Sequence, residues 1–200
     1  MPLPLIYFIR HGLTFANVEN IIAGILETPL TPLGHTQAAQ AGVFLKDKGL
    51  RLVFSSPLIR ARQTLAELTL PASLPTQFDC RLIEINCGIF EGKPFSTFPP
   101  EQKIENIFLQ QTIRRTGGES VADMRGRMRS FIDEHLVSAA GPVLLVGHAA
   151  SGRALLLELL PPALHAQLLT ETIDNASIWQ IQNGTYKKVF SPSEQTQFDA

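Results

Sequence analysis

Two histidines, two arginines and one glutamate are suited to handle a phosphate group: Arg10, His11, Arg60, Glu84 and His148. An arginine guanidinium offers a fork of N–H donors that matches phosphate oxygens, and a neutral histidine can act as a nucleophile. Taken singly, each residue has an ordinary explanation, such as a surface arginine or a core histidine bonded to a carbonyl. The prediction of a phosphate site therefore depends on all five meeting at one place.

Short apolar segments precede these residues and are the elements that must position them. Runs of β-forming residues come before the first histidine, before the second arginine and before the second histidine, at 5–9, 51–56 and 142–147. Helix-start signals and helical spacing predict helices from 32 to Gly49, which ends the first one, from 57 to about 70, from about 119 to 136, and from about 151 onward. The glutamate lies in a turn-rich segment, 79–92.

Strands that alternate with helices predict an α/β fold, a three-layer α/β/α sandwich around a mostly parallel sheet. In such sheets ligands gather at the carboxyl ends of the strands, where both histidines are expected. Asn183-Gly184 between two further strand-like runs predicts a β-hairpin. We expect residues 1–200 to form a single domain with a lid insertion at about 93–118 and a frayed tail after Ser191.

Short motifs along nearly the whole chain resemble those of the histidine phosphatase superfamily, which includes cofactor-dependent phosphoglycerate mutase. Six blocks carry the resemblance in the order of that family: Arg10-His11-Gly12-Leu13-Thr14 with Asn17, 28–34, 55–64, 82–84 with 88–92, 117–120 with Asp123 and Arg127, and 146–148 with 153–156. Six blocks in the right order are far more specific than an isolated Arg-His-Gly. The resemblance implies a phosphoglycerate mutase-like fold and the phosphatase branch of the family.

The resemblance also implies roles for the residues of the first blocks. His11 would attack phosphorus and form a phosphohistidine, which water then hydrolyses. Arg10, Arg60, His148 and the amide of Asn17 would bind the phosphoryl oxygens, whose charge needs positive donors in the transition state. Because these side chains carry the charge stabilisation, no metal and no cofactor are expected.

The resemblance assigns Glu84 as the proton donor to the leaving alkoxide. The same carboxylate would then take a proton from the attacking water in the second step. For the first step the carboxyl must be protonated during part of the working pH range, and the negative phosphate beside it favours the protonated form.

The predicted lid, 93–118, carries the residues that bear on the substrate. Arg114 and Arg115 could reach a second anion, although we favour the interpretation that both are solvated charges at a helix end. Four apolar side chains either form a wall over the leaving group or only dock the lid on the core: Phe95, Phe98, Ile107 and Phe108.

The composition gives little support to nucleic acid or a membrane as partner, because 17 basic against 18 acidic residues leave a net charge of -1. Cys80 and Cys87 cannot build a disulfide scaffold, the N-terminus lacks the pattern of a signal peptide, and no apolar run reaches about 18 residues. A soluble cytoplasmic protein is therefore expected. The oligomeric state is left open, with a dimer allowed.

The leading hypothesis is a metal-independent phosphomonoesterase that acts on a small phosphorylated metabolite. A mutase that returns the phosphoryl group to a bisphosphate intermediate is the alternative, and the short lid argues against it. A catalytically silent binding module on the same fold is a third hypothesis, and the retention of His11, both arginines, Glu84 and His148 argues against that.

Overall fold

The structure is a computed structural model that describes residues 3–102 and 104–193. A six-stranded sheet forms its centre, with strands β1 (Ile6–Arg10), β2 (Leu52–Ser55), β3 (Thr76–Phe78), β4 (Val143–Gly147), β5 (Ile178–Gln182) and β6 (Thr185–Phe190). Most of the tail after Ser191, for which fraying was predicted, lies outside the described residues.

The strand order is β3-β2-β4-β1-β5-β6. β1 and β2 each pair with β4 in parallel, and β2 also pairs with β3 in parallel. The β5–β6 hairpin, turned at Asn183-Gly184 as predicted, adds the antiparallel edge next to β1. The expectation of a mostly parallel sheet is therefore confirmed, whereas the short strand β3 was not predicted.

Helices cover both faces of the sheet. They are α1 (Phe15–Val18), α2 (Pro32–Leu45), α3 (Ile59–Glu67), α4 (Ile104–Ile107), α5 (Val121–Phe131), α6 (Ala149–Leu159) and α7 (His165–Thr170). The predicted long helix from 119 to 136 is α5 continued by a π-helical turn, Ile132–Leu136. No helix among the described residues is long and apolar enough to cross a bilayer.

Alternate residues of the central strands face opposite cores, as the period of two in a strand requires. In β1, Ile6 and Phe8 belong to the core shared with α5 and α6, while Tyr7 and Ile9 belong to the core shared with α2 and α3. The same alternation runs through β4. These two cores make the molecule the predicted three-layer α/β/α sandwich.

The parallel register places three strand ends side by side. Arg10 lies opposite Gly147, and Ser55 lies opposite Val146. The His11 N–H donates to the Gly147 carbonyl at 2.9 Å, which continues the ladder one residue beyond β1. The residues that follow β1, β2 and β4 therefore meet at one edge of the sheet.

Candidate active site

His11 begins the loop after β1 and is only 4% exposed. Its Nδ1 lies 2.7 Å from the Gly12 carbonyl oxygen, and no described residue bonds to Nε2. Gly12 is required here, because a Cβ at this position would collide with the Gly34 carbonyl. Since a carbonyl only accepts, Nδ1 carries the proton and Nε2 keeps its lone pair.

Burial and two cations keep His11 neutral. Desolvation lowers its pKa well below the usual 6.5, and the charges of Arg60 and Arg10 lower it further. The bond to the Gly12 carbonyl acts in the opposite direction but does not prevail. An imidazole with a free lone pair at neutral pH can attack phosphorus.

Arg60 reaches the same place from the first turn of α3 and is 1% exposed. Its Nη1 and Nη2 donate to the carbonyls of Leu26 and Gly24 at 2.8 and 2.7 Å, and its Nε donates to His148 Nδ1 at 3.1 Å. Three of the five guanidinium N–H groups thus bond to described residues, and within this part of the chain the other two have no partner.

His148 follows β4 and is fully buried behind His11, with the two ring centroids 5.2 Å apart. Because Arg60 donates to its Nδ1, the proton lies on Nε2, which is 2.7 Å from Ser56 Oγ. Desolvation, Arg60 and His11 lower its pKa well below 6.5. Both ring nitrogens therefore have protein partners, and a bond from His148 to phosphate requires one of them to be exchanged.

Arg10 directly precedes His11 and lines the same pocket. Its Nη1 donates to the Ile173 carbonyl at 2.7 Å, and its buried Nε has no partner among the described residues. Burial lowers its pKa to about 10, while the negative charge of Glu84 acts in the opposite direction. The guanidinium remains charged at neutral pH and keeps donors available.

Glu84 is fixed at the N-terminus of α6. Its carboxylate accepts backbone N–H bonds from Ala150 at 3.0 Å and from Ser151 at 2.8 Å. Arg127 donates to the Ile83 and Glu84 carbonyls and so holds the backbone of this segment. The arrangement presents the Glu84 side chain to the pocket that His11 also lines.

The structure brings the six predicted site residues together. Arg10, His11, Asn17, Arg60 and Glu84 line one pocket; the sixth, His148, is not among its lining residues, and its ring centroid lies 5.2 Å from that of His11. Among the described residues, no group of three or more His, Cys, Asp or Glu side chains is arranged to hold a metal ion.

The predicted lid divides between pocket and core. Phe95 and Phe98 line the pocket, Phe98 being also part of the hydrophobic core, whereas Ile107 and Phe108 are buried in that core and do not line the pocket. The favoured interpretation of the two lid arginines as solvated charges is wrong for Arg115, which is 1% exposed and lines the pocket.

The contacts of the two lid arginines explain this difference. Arg114 is largely exposed and pairs with Asp123 at 2.7 Å. Arg115 donates to the Gln102 carbonyl and stacks on Phe98, with the guanidinium carbon 4.8 Å from the ring centroid. Its buried Nε and Nη1 have no partner in the described part of the chain.

Three residues that support the site were not recognised in the sequence. Ser56 holds His148, Thr64 accepts from the Gly12 N–H at 3.0 Å, and Asn175 donates to the loop after β1. Ser56 and Thr64 lie inside a block quoted for the family resemblance, which was the available signal. Asn175 had none, because its partner His11 lies 164 residues away in the chain.

Comparison with known proteins agrees with this geometry. The family model of the histidine phosphatase superfamily (branch 1) matches residues 6–191. A Yersinia enterocolitica protein described as "Probable phosphoglycerate mutase GpmB" is 32% identical over 169 residues, which is 81% of this chain and 77% of that protein.

Solved structures of other proteins are similar to this chain over most of its length. A mycobacterial glucosyl-3-phosphoglycerate phosphatase in complex with VO3 superposes with a TM-score of 0.80 at 28% identity, covering 92% of this chain and 96% of that one. Mycobacterial hydrolase 1 superposes with a TM-score of 0.78 at 28% identity, covering 96% and 99%.

Proposed function

The chain belongs to the histidine phosphatase superfamily (branch 1), and from that premise we propose that it is a metal-independent phosphomonoesterase acting on a small phosphorylated metabolite. One observation carries the proposal. His11 is neutral, with its Nδ1 bound to the Gly12 carbonyl and its Nε2 without a partner among the described residues, in a pocket that it shares with Arg10, Arg60 and Glu84.

In the first step, His11 Nε2 attacks phosphorus and the bond between phosphorus and the ester oxygen breaks. Arg10 and Arg60 bind the phosphoryl oxygens through the N–H groups that the protein leaves free. Glu84 gives its proton to the leaving alkoxide. The product alcohol departs, and the phosphoryl group stays on His11.

In the second step, water attacks the phosphohistidine. Glu84, now a carboxylate, takes a proton from that water, and the phosphorus–nitrogen bond breaks to release inorganic phosphate. His148 keeps Arg60 in place in the free enzyme and can exchange its bond to Ser56 for one to the phosphoryl group.

Arg115 supports a substrate with a second negative group. A buried guanidinium with unpaired Nε and Nη1 is costly unless a ligand satisfies it. Phosphoglycerates, which occur in the names of two relatives, carry a carboxylate besides the phosphate. We therefore propose that the substrate is a phosphorylated acid small enough for this pocket.

The domain organisation and the cellular location of the enzyme are part of the same proposal. We propose that residues 1–200 act as one domain in which 93–118 covers the pocket. Because Cys80 and Cys87 are free thiols, we place the enzyme in the cytoplasm, where cysteines stay reduced.

A trapped intermediate tests the proposal. The protein is mixed with p-nitrophenyl phosphate, quenched in alkali, which spares phosphohistidine, and examined by peptide mass spectrometry. We expect phosphate on His11 and complete loss of turnover in His11→Ala. The matched control is His35→Ala, at a residue outside the pocket. This variant should still carry phosphate on His11 and should keep its turnover. If His11→Ala retains more than a few per cent of turnover, His11 is not the nucleophile.

A phosphoglycerate mutase is the second candidate, because the Yersinia relative carries that description. The two functions differ in the fate of the phosphoryl group on His11. We expect release of inorganic phosphate from 3-phosphoglycerate and little conversion to the 2-isomer, even when 2,3-bisphosphoglycerate is supplied. Efficient isomerisation in a coupled assay would reverse this ranking.

A further inference from the structure

Residues 173–177 lead into β5 and lie against the end of β1, next to His11. The Ala176 N–H donates to the carbonyls of both Arg10 and His11 at 3.1 Å. Ala176 is fully buried and has a φ of 53°, a left-handed conformation that persists in a non-glycine residue only where its surroundings fix it. The contacts with β1 hold Ala176 in this conformation. They also place the side chain of the preceding residue, Asn175, against the loop after β1.

The Asn175 amide group faces three oxygens of this loop. Its Nδ2 lies 3.1 Å from the His11 carbonyl, 3.3 Å from the Gly12 carbonyl and 3.2 Å from Asn17 Oδ1. Two of these oxygens are backbone carbonyls, which can only accept. The atom of Asn175 that faces them must therefore be the NH2 group, which fixes the orientation of this amide.

The orientation of Asn175 determines that of Asn17. Asn17 Oδ1 accepts from Asn175 and also from the Thr14 N–H at 3.2 Å. With its oxygen held by two donors, the Asn17 amide cannot flip without placing donor against donor. Its NH2 group is thereby left for the pocket, which Asn17 lines.

The Gly12 carbonyl connects the same side chain to the nucleophile. It accepts from His11 Nδ1 at 2.7 Å and from Asn175 at 3.3 Å, so both contacts orient one oxygen. That oxygen is what keeps the proton of His11 on Nδ1 and the lone pair on Nε2.

We propose that Asn175 is a positioning residue, which fixes the tautomer of His11 through the Gly12 carbonyl and turns the Asn17 NH2 group towards the phosphate. Asn175 does not touch the reacting atoms itself. The inference rests on the proposed function in taking His11 as the nucleophile and Asn17 as a ligand of the phosphate.

Asn175→Ala tests this role, with Asn183→Ala as the matched control. Asn183 lies in the β5–β6 turn with a φ of 51°, so its replacement also removes an amide and weakens the fold, but at a distance from the pocket. The readouts are the single-turnover rate of phosphohistidine formation and the ¹⁵N NMR signals of the histidine rings without substrate.

For Asn175→Ala we expect phosphohistidine formation to slow by about 10-fold, the effect of one lost hydrogen bond, and the His11 ring to populate both tautomers. Asn17→Ala should slow phosphohistidine formation less in the Asn175→Ala background than in the wild type, because both side chains act through one network. Asn183→Ala should stay within about twofold of wild type.

A purely structural role gives a different pattern. Equal rates in Asn175→Ala and Asn183→Ala, with an unchanged His11 tautomer, overturn the proposal. If Asn175→Ala does not fold, Asn175→Ser keeps a small polar side chain that is too short to contact all three oxygens, and the mixed tautomer is still expected. A wild type that forms no phosphohistidine refutes the proposed function, while the NMR signals without substrate still decide the role of Asn175.

Discussion

Protein stability should fall as the pH drops below about 6.5, because two buried histidines stay neutral in the folded state. His11 is 4% exposed and His148 is fully buried, and desolvation lowers the pKa of both well below 6.5. In the unfolded chain both would titrate near 6.5. The unfolded state therefore takes up protons that the folded state refuses, so acid favours unfolding.

The size of the effect follows from the linkage relation. Below the unfolded pKa, each histidine that only the unfolded state protonates lowers the free energy of unfolding by about 1.4 kcal/mol per pH unit. Between pH 7.5 and 5.5 this amounts to about 1.4 kcal/mol for each histidine and about 3 kcal/mol for both. Urea unfolding measures it through the fluorescence of Trp179, the one tryptophan of the chain, which is 1% exposed.

Two variants separate this contribution from other titrating groups. His11→Gln and His148→Gln should each remove about half of the predicted pH dependence, and the double variant should remove all of it. Other acidic and basic groups contribute equally to all four proteins and cancel in the comparison. The reasoning is refuted if the wild type loses less than about 1 kcal/mol over this range, or if the variants keep its full slope.

Three further predictions concern the reaction. Glu84→Gln should slow single-turnover alcohol release from alkyl phosphates by about 10²- to 10⁴-fold. The rate of p-nitrophenol release from p-nitrophenyl phosphate should fall much less, because this leaving group needs little protonation. Equal losses on both substrates would point to another proton donor. Chelators should leave the rate unchanged while vanadate inhibits, and a magnesium requirement would contradict the mechanism. Arg115→Met should lower kcat/KM for 3-phosphoglycerate by about 10- to 100-fold but hardly that for glycerol 3-phosphate, which lacks the carboxylate; equal losses would exclude a second-anion site.

The sheet and the strand-end residues could be predicted because their signals are local. A run of β-forming residues ends directly before His11, and a second ends directly before His148. Parallel pairing then brings both to one edge, so their proximity followed from topology. The strand β3 escaped prediction because its three residues are all exposed, so the apolar pattern that marks the other strands is missing.

The environment of the lid residues could not be predicted, because it depends on contacts within the lid that follow no helical or strand period. Arg114 and Arg115 are adjacent and chemically identical, yet one is exposed and the other is buried in the pocket. Arg115 is held in the buried position by its stacking on Phe98 and by its bond to the Gln102 carbonyl. No spacing rule in the sequence encodes which of two neighbouring arginines the fold turns inward.

The residues in and around the pocket come from two different parts of this fold. His11 and His148 are attached to the ends of neighbouring parallel strands, so the register of the sheet fixes their separation. Arg115 and Phe98 belong instead to 93–118, outside the sheet, and also line the pocket. Changes in that segment can therefore alter the side chains that line the pocket without moving His11 or His148.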